Sequence, residues 1–123
     1  MFGCRECIPE EPASATALQL GEEARLIDES HFTVKIRFCP QCGQKFLWVF
    51  TEQIDHVNGD DPQCWSVLPV SPEEAEALIE AAGDLDLEEV SRLGLRRRFL
   101  RDESPAFGPR NCGYLYGLLM DRR

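Results

Sequence analysis

Apolar and polar positions alternate most cleanly at Phe32, Val34, Ile36 and Phe38, with Thr33, Lys35 and Arg37 between them. A period of two puts each set on its own face of an extended chain, so this run predicts a half-buried strand. In the next run, Phe46, Trp48 and Phe50 are interleaved with Leu47 and Val49. Apolar residues at every position predict a strand covered on both faces. The two runs form a hairpin around residues 39–43. A shorter strand is predicted over Ala24–Asp28 and another over Cys64–Val70, while the proline-bearing stretch 8–16 reads as a loop. The turn-rich segment 55–62 contains Asn58-Gly59, a pair suited to a tight turn.

The period changes after Val70. Ser71-Pro72-Glu73-Glu74 supplies a hydroxyl N-cap, a proline at the first helical position and a glutamate placed for a capping box. Ala75, Leu78, Ile79 and Ala82 then recur at helical spacing, predicting a helix that ends near Gly83 with this stripe on the sheet and Glu73, Glu76 and Glu80 in water. A second helix, capped by Asp84 or Asp86, carries Leu87, Val90 and Leu93 before Gly94. Residues 95–101 suit a helix or a strand. Residues 104–110 read as a loop, and 112–120 are apolar enough to return to the core. The expected class is therefore α+β: a small antiparallel sheet packed against two short helices. Residues 1–70 form the β region, and residues 71–123 a helical and C-terminal region packed on it within one compact domain.

Length and composition agree with one folded core: 123 residues, 43% hydrophobic and 28% charged. Charge changes the picture more. The formal net charge is -9, which opposes a whole-surface role on nucleic acid. The excess is local, since residues 1–91 carry 19 acids and 5 bases while residues 92–123 carry 3 acids and 8 bases. Arg96, Arg97, Arg98 and Arg101, with Lys45, form the patch that a nucleic-acid-binding reading requires. The competing reading places these arginines against the chain's own acidic helices. The sequence has no apolar run of bilayer length, and its start lacks the basic and apolar regions of a signal peptide, so a cytoplasmic protein without membrane contact is expected.

The chemistry lies in the cysteines at positions 4, 7, 39, 42, 64 and 112. Four of them form two C-x-x-C pairs. Each pair lets one tight turn aim two sulfurs at a common point, and two such turns close a tetrahedron around one ion, by default Zn²⁺. In Cys39-Pro40-Gln41-Cys42-Gly43 the proline fixes one dihedral and the glycine can take positive φ, so that amides turn toward sulfur.

These motifs, C-x-x-C and C-P-x-C-G, resemble those of the zinc-ribbon and rubredoxin-like knuckle families over about residues 4 to 50. The resemblance implies ligand roles for Cys4, Cys7, Cys39 and Cys42. It is less close at the first knuckle, where Ile8 stands in the position glycine commonly takes. A rubredoxin would hold iron in the same four sulfurs, but the aromatic and glycine-rich segment that follows its first knuckle is replaced here by IPEEPASATALQLGEE.

Other readings remain open on the sequence. Cys39 and Cys42 could be a redox dithiol of the glutaredoxin kind, although the strand-like Phe46–Phe50 follows them where such a motif would open a helix. His31 or His56 could replace a cysteine at the metal, and Cys64 could pair with His56 as a nucleophile. The loop residues Asp55, Asp60 and Asp61, with Trp65 nearby, could bind a partner. Four cysteines around one ion leave no open position for substrate, and the usual hydrolase, metalloprotease and nucleotide-binding motifs are missing. The expectation is a non-enzymatic protein with structural Zn²⁺ that binds another protein, of basic character, as an adaptor or inhibitor of the immunity type. The alternatives are a nucleic-acid-binding zinc ribbon and a thiol redox protein.

Overall fold

The computed structural model describes residues 3–52, 62–105 and 109–120. Six strands, β1 (Gly21–Glu29), β2 (Phe32–Phe38), β3 (Lys45–Glu52), β4 (Gln63–Val70), β5 (Phe99–Ser104) and β6 (Asn111–Leu115), form one sheet in chain order. Each is antiparallel to the next. Between β4 and β5 the chain forms three short helices, α1 (Pro72–Glu80), α2 (Leu87–Ser91) and α3 (Leu93–Arg96), with a 3₁₀ turn at Ala82–Asp84. The protein is thus an α+β fold. The expected hairpin is present in full register, from Phe32 opposite Thr51 to Phe38 opposite Lys45. Its connecting turn carries Cys39 and Cys42.

Alternation along the strands sorts the side chains onto two buried faces. On one, Val34, Ile36, Leu47, Val49, Leu68, Val70 and Phe99 pack against the helices through Ala75 and Val90. On the other, Phe46, Trp48, Trp65, Val67 and Leu100 pack against residues 7–20, with Cys7, Ala15, Leu18 and Leu20 as the covering side chains. That second cover contains no helix or strand. The predicted double coverage of the Phe46–Phe50 strand is what the two layers provide: Phe46 and Leu47 are 1% and 0% exposed.

The first helix begins as its sequence indicates. Ser71 Oγ accepts the Glu74 N–H at 3.1 Å, and the Glu74 carboxylate accepts the Ser71 N–H at 2.8 Å. It ends at Glu80, and a 3₁₀ turn occupies the stretch toward Gly83. The second expected helix, capped by Asp86, is broken at Arg92. Continuation would require the Ser91 carbonyl to accept the Leu95 N–H. Instead Ser91 O accepts Leu119 N–H and Leu95 N–H turns to Arg92 O, both at 3.0 Å. Gly94 makes this crossing possible, because a Cβ there would lie 2.2 Å from the Gly117 carbonyl. Residues 95–101 are both things the sequence allowed: helix to Arg96, then strand from Phe99. The C-terminal stretch does return to the core, where Ser66 Oγ donates to Leu119 O at 2.8 Å and Ser91 Oγ accepts Met120 N–H at 2.9 Å.

Candidate metal centre

Both C-x-x-C turns fold alike. The Cys4 carbonyl accepts the Ile8 N–H at 2.8 Å, and the Cys39 carbonyl accepts the Gly43 N–H at 2.8 Å. Gly43 takes φ +79°, as its place after the second knuckle requires. Ile8 makes the corresponding bond without positive φ, since no described non-glycine residue has one. The departure from the knuckle pattern at Ile8 therefore leaves the turn intact.

The two turns meet through Gln44, which the sequence reading did not single out. Its side-chain oxygen accepts the Gly3 N–H at 2.9 Å, and its nitrogen donates to the carbonyls of Lys45 and Val70 at 2.8 and 2.9 Å. One amide thus ties the first knuckle to the second and to the end of β4. An amide carries both a donor and an acceptor, so a glutamine next to a knuckle was the available signal.

The four sulfurs of Cys4, Cys7, Cys39 and Cys42 lie within 4.8 Å of one another. Cys4 and Cys7 are 3.7 Å apart, Cys4 and Cys39 3.7 Å, and Cys7 and Cys42 3.8 Å. An ion about 2.3 Å from each of four tetrahedral sulfurs sets neighbouring sulfurs about 3.8 Å apart, so the donor set fits a single metal ion. Two of the distances across the turns match the distance within the first one, as a shared centre demands and an isolated dithiol does not. The Cys4 Sγ carries a thiol lowered to about 7, chiefly by the backbone N–H of Cys7, whereas burial pushes the Cys7 thiol up. Cys7 and Cys39 are buried, and Cys42 faces solvent.

Beyond the first knuckle the irregular cover is tied down by side chains of the last two strands. Asp102, 0% exposed, accepts the Ala15 N–H at 2.7 Å and both Nε and Nη2 of Arg110 at 2.7 Å. The Tyr114 hydroxyl donates to Pro9 O at 2.6 Å, and the Cys112 thiol donates to Ala13 O at 2.9 Å. Asp102 went unnoticed in the sequence, although it alternates with Leu100 and so shares its buried face.

Of the other sequence candidates, Arg96, Arg97 and Arg98 line one cavity, away from Arg101 and Lys45. Arg97 bonds Glu74 at 2.9 and 3.1 Å and the Pro69 carbonyl at 2.7 Å. Arg101 donates to Leu118 O and approaches Glu103, and Lys45 pairs with Glu23. Arg96 and Arg98 are exposed. Trp65 is 9% exposed, with Phe50 at 5.1 Å and the Arg110 guanidinium 5.1 Å above its ring. Asp55, His56, Asp60 and Asp61 lie outside the described residues, as does the Asn58-Gly59 turn. His31 precedes β2 at the end away from Cys39 and contacts Glu52 at 2.8 Å. Burial raises the thiols of Cys64 and Cys112, and His56, the base considered for Cys64, lies outside the described residues. No helix among the described residues is long and apolar enough to cross a membrane.

Comparison with protein-family models, curated proteins and solved structures found no match for this chain.

Proposed function

We propose that the four cysteines hold a structural zinc ion and that the protein is a non-catalytic, protein-binding module. One observation carries the metal reading: four sulfurs lie within 4.8 Å of one another, three pairs of them at 3.7–3.8 Å, which is enough donors to fill every position of one tetrahedral ion. Bound there, zinc would supply cross-linking and no Lewis-acid chemistry. It would fasten residues 3–20, which have no helix or strand of their own, to a sheet face that would otherwise expose Phe46, Trp48 and Leu100. Zinc is preferred to iron because the segment after Cys7 lacks the glycine and aromatic pattern that encloses a rubredoxin centre.

The binding role rests on charge. The outer side of the helices exposes Glu73, Glu76, Glu80, Asp84, Glu88 and Glu89, a surface suited to a basic partner. Affinity purification of the zinc-loaded protein from its native cell, followed by native mass spectrometry, tests both parts. The expected result is one zinc per chain and a retained basic protein, lost when Glu76 and Glu80 are changed to lysine. Retention of the partner by that double variant would overturn the assignment of the acidic face.

A further inference from the structure

One cavity of about 790 Å³ opens beside the first knuckle, lined by Gly3, Cys4, Arg5, Cys7 and Ile8 on one side and by residues 96–100, Tyr114 and Tyr116 on the other. It falls within the roughly 300–1,000 Å³ of sites that enclose small molecules. Its floor is apolar: Leu18, Phe46, Val67 and Leu100 are all buried. Its rim is cationic. Arg5, Arg96 and Arg98 are exposed there, and among the lining residues Glu10 is the only acid. In a chain of net charge -9 this is a local reversal of sign. Flat faces accompany the charges, with the Arg98 guanidinium 5.3 Å from the Tyr114 ring centroid and Tyr116 64% exposed.

We propose that this cavity binds a small planar anion of the nucleoside monophosphate class, with the phosphate on Arg5, Arg96 and Arg98 and the ring system against the tyrosines and the apolar floor. Guanidinium groups match phosphate oxygens in pairs, and tyrosine faces stack on bases of any kind. Charge selects a small ligand over a polymer. Within about 8 Å, the screening length at physiological salt, a monophosphate in the cavity is governed by the rim arginines, whereas an extended strand would cross the acidic remainder of the surface. The basic residues a strand would also need, Lys45, Arg97 and Arg101, are engaged by Glu23, Glu74 and Leu118. Because one wall is the first knuckle, the cavity exists only when that knuckle is in place. The proposal is independent of which protein the module binds.

The test is calorimetric titration of the zinc-loaded protein with AMP, GMP, CMP and UMP, with adenosine and guanosine, with inorganic phosphate and with oligouridines of increasing length. At least one monophosphate should bind, its nucleoside should bind at least about tenfold more weakly, and Arg96→Ala/Arg98→Ala should weaken binding by a similar factor. Arg92→Ala, at an exposed arginine paired with Glu88, should leave it unchanged. Unaltered zinc content and amide spectra of the variants show that they fold. Four results would overturn the proposal: no monophosphate binding at millimolar concentration, equal binding of nucleosides, indifference to the double variant, or affinity confined to the oligouridines and growing with their length.

Discussion

The two faces of the sheet are covered by different means. The helix face is closed mainly by regular elements, whose apolar stripe packs on Val34, Leu47 and Leu68, with Leu119 and Met120 of the C-terminal stretch beside them. The opposite face is closed by residues 3–20, which form no regular element and are held at one end by the cysteine cluster and farther along by Asp102, Cys112 and Tyr114. Both layers bury comparable side chains, but the second lacks cooperative backbone structure to offset its ordering entropy, about 1–2 kcal/mol per residue. The metal site proposed at the cysteine cluster would give this irregular layer what helix formation gives the layer on the other side.

The sharpest way to break this contrast is Cys39→Ser. Structural zinc sites in small peptides contribute on the order of 10–16 kcal/mol, as much as a whole domain's stability, so the variant should lose its metal and its cover on residues 3–20. Hydrogen exchange resolved along the chain and a melting curve report both. Next in size are the paired core deletions Phe46→Ala and Phe99→Ala. Each residue is 1% exposed, and each truncation should cost about 3–5 kcal/mol in denaturant unfolding. Only Phe46→Ala, on the metal face, should also speed loss of zinc to a chelator.

Asp102→Ala leaves the Ala15 N–H without its acceptor and Arg110 without its carboxylate, and should cost about 1–3 kcal/mol while loosening the segment around Ala15. Ser71→Ala removes the N-cap on the helix face for about 1 kcal/mol and should leave zinc retention untouched. The smallest effect is in pH. Arg97 beside Glu74 holds its carboxyl below the usual range. The contribution is complete above the unfolded value of about 4.3 and disappears as pH falls through the folded one. The stability difference between Glu74→Gln and the parent protein should therefore shrink on acidification, measured by melting at a series of pH values.

Legibility in the sequence followed the same division. Period-two alternation located β2, a continuous apolar run located β3 because both of its faces meet a buried layer, and the capping box located the start of α1 to the residue. The cysteine spacing brought out the cluster because ligand geometry is local to each turn. Contacts between distant segments were not legible. Nothing near Ser91 announces that its carbonyl is taken by Leu119, which breaks the second helix, and nothing near Ala15 announces Asp102, 87 positions away. The arginine run looked like one patch in sequence, but strand alternation sends Arg101 to the helix face beside Leu118 while Arg98 stays over Tyr114.

The central claim is that one metal ion on Cys4, Cys7, Cys39 and Cys42 holds the irregular cover in place. Native mass spectrometry of the folded protein, beside Cys39→Ser, tests it most directly. The account predicts one zinc per chain in the parent, none in the variant, and a shift of the variant to the higher charge states of an opened chain. A parent protein that sprays compact and metal-free would contradict it.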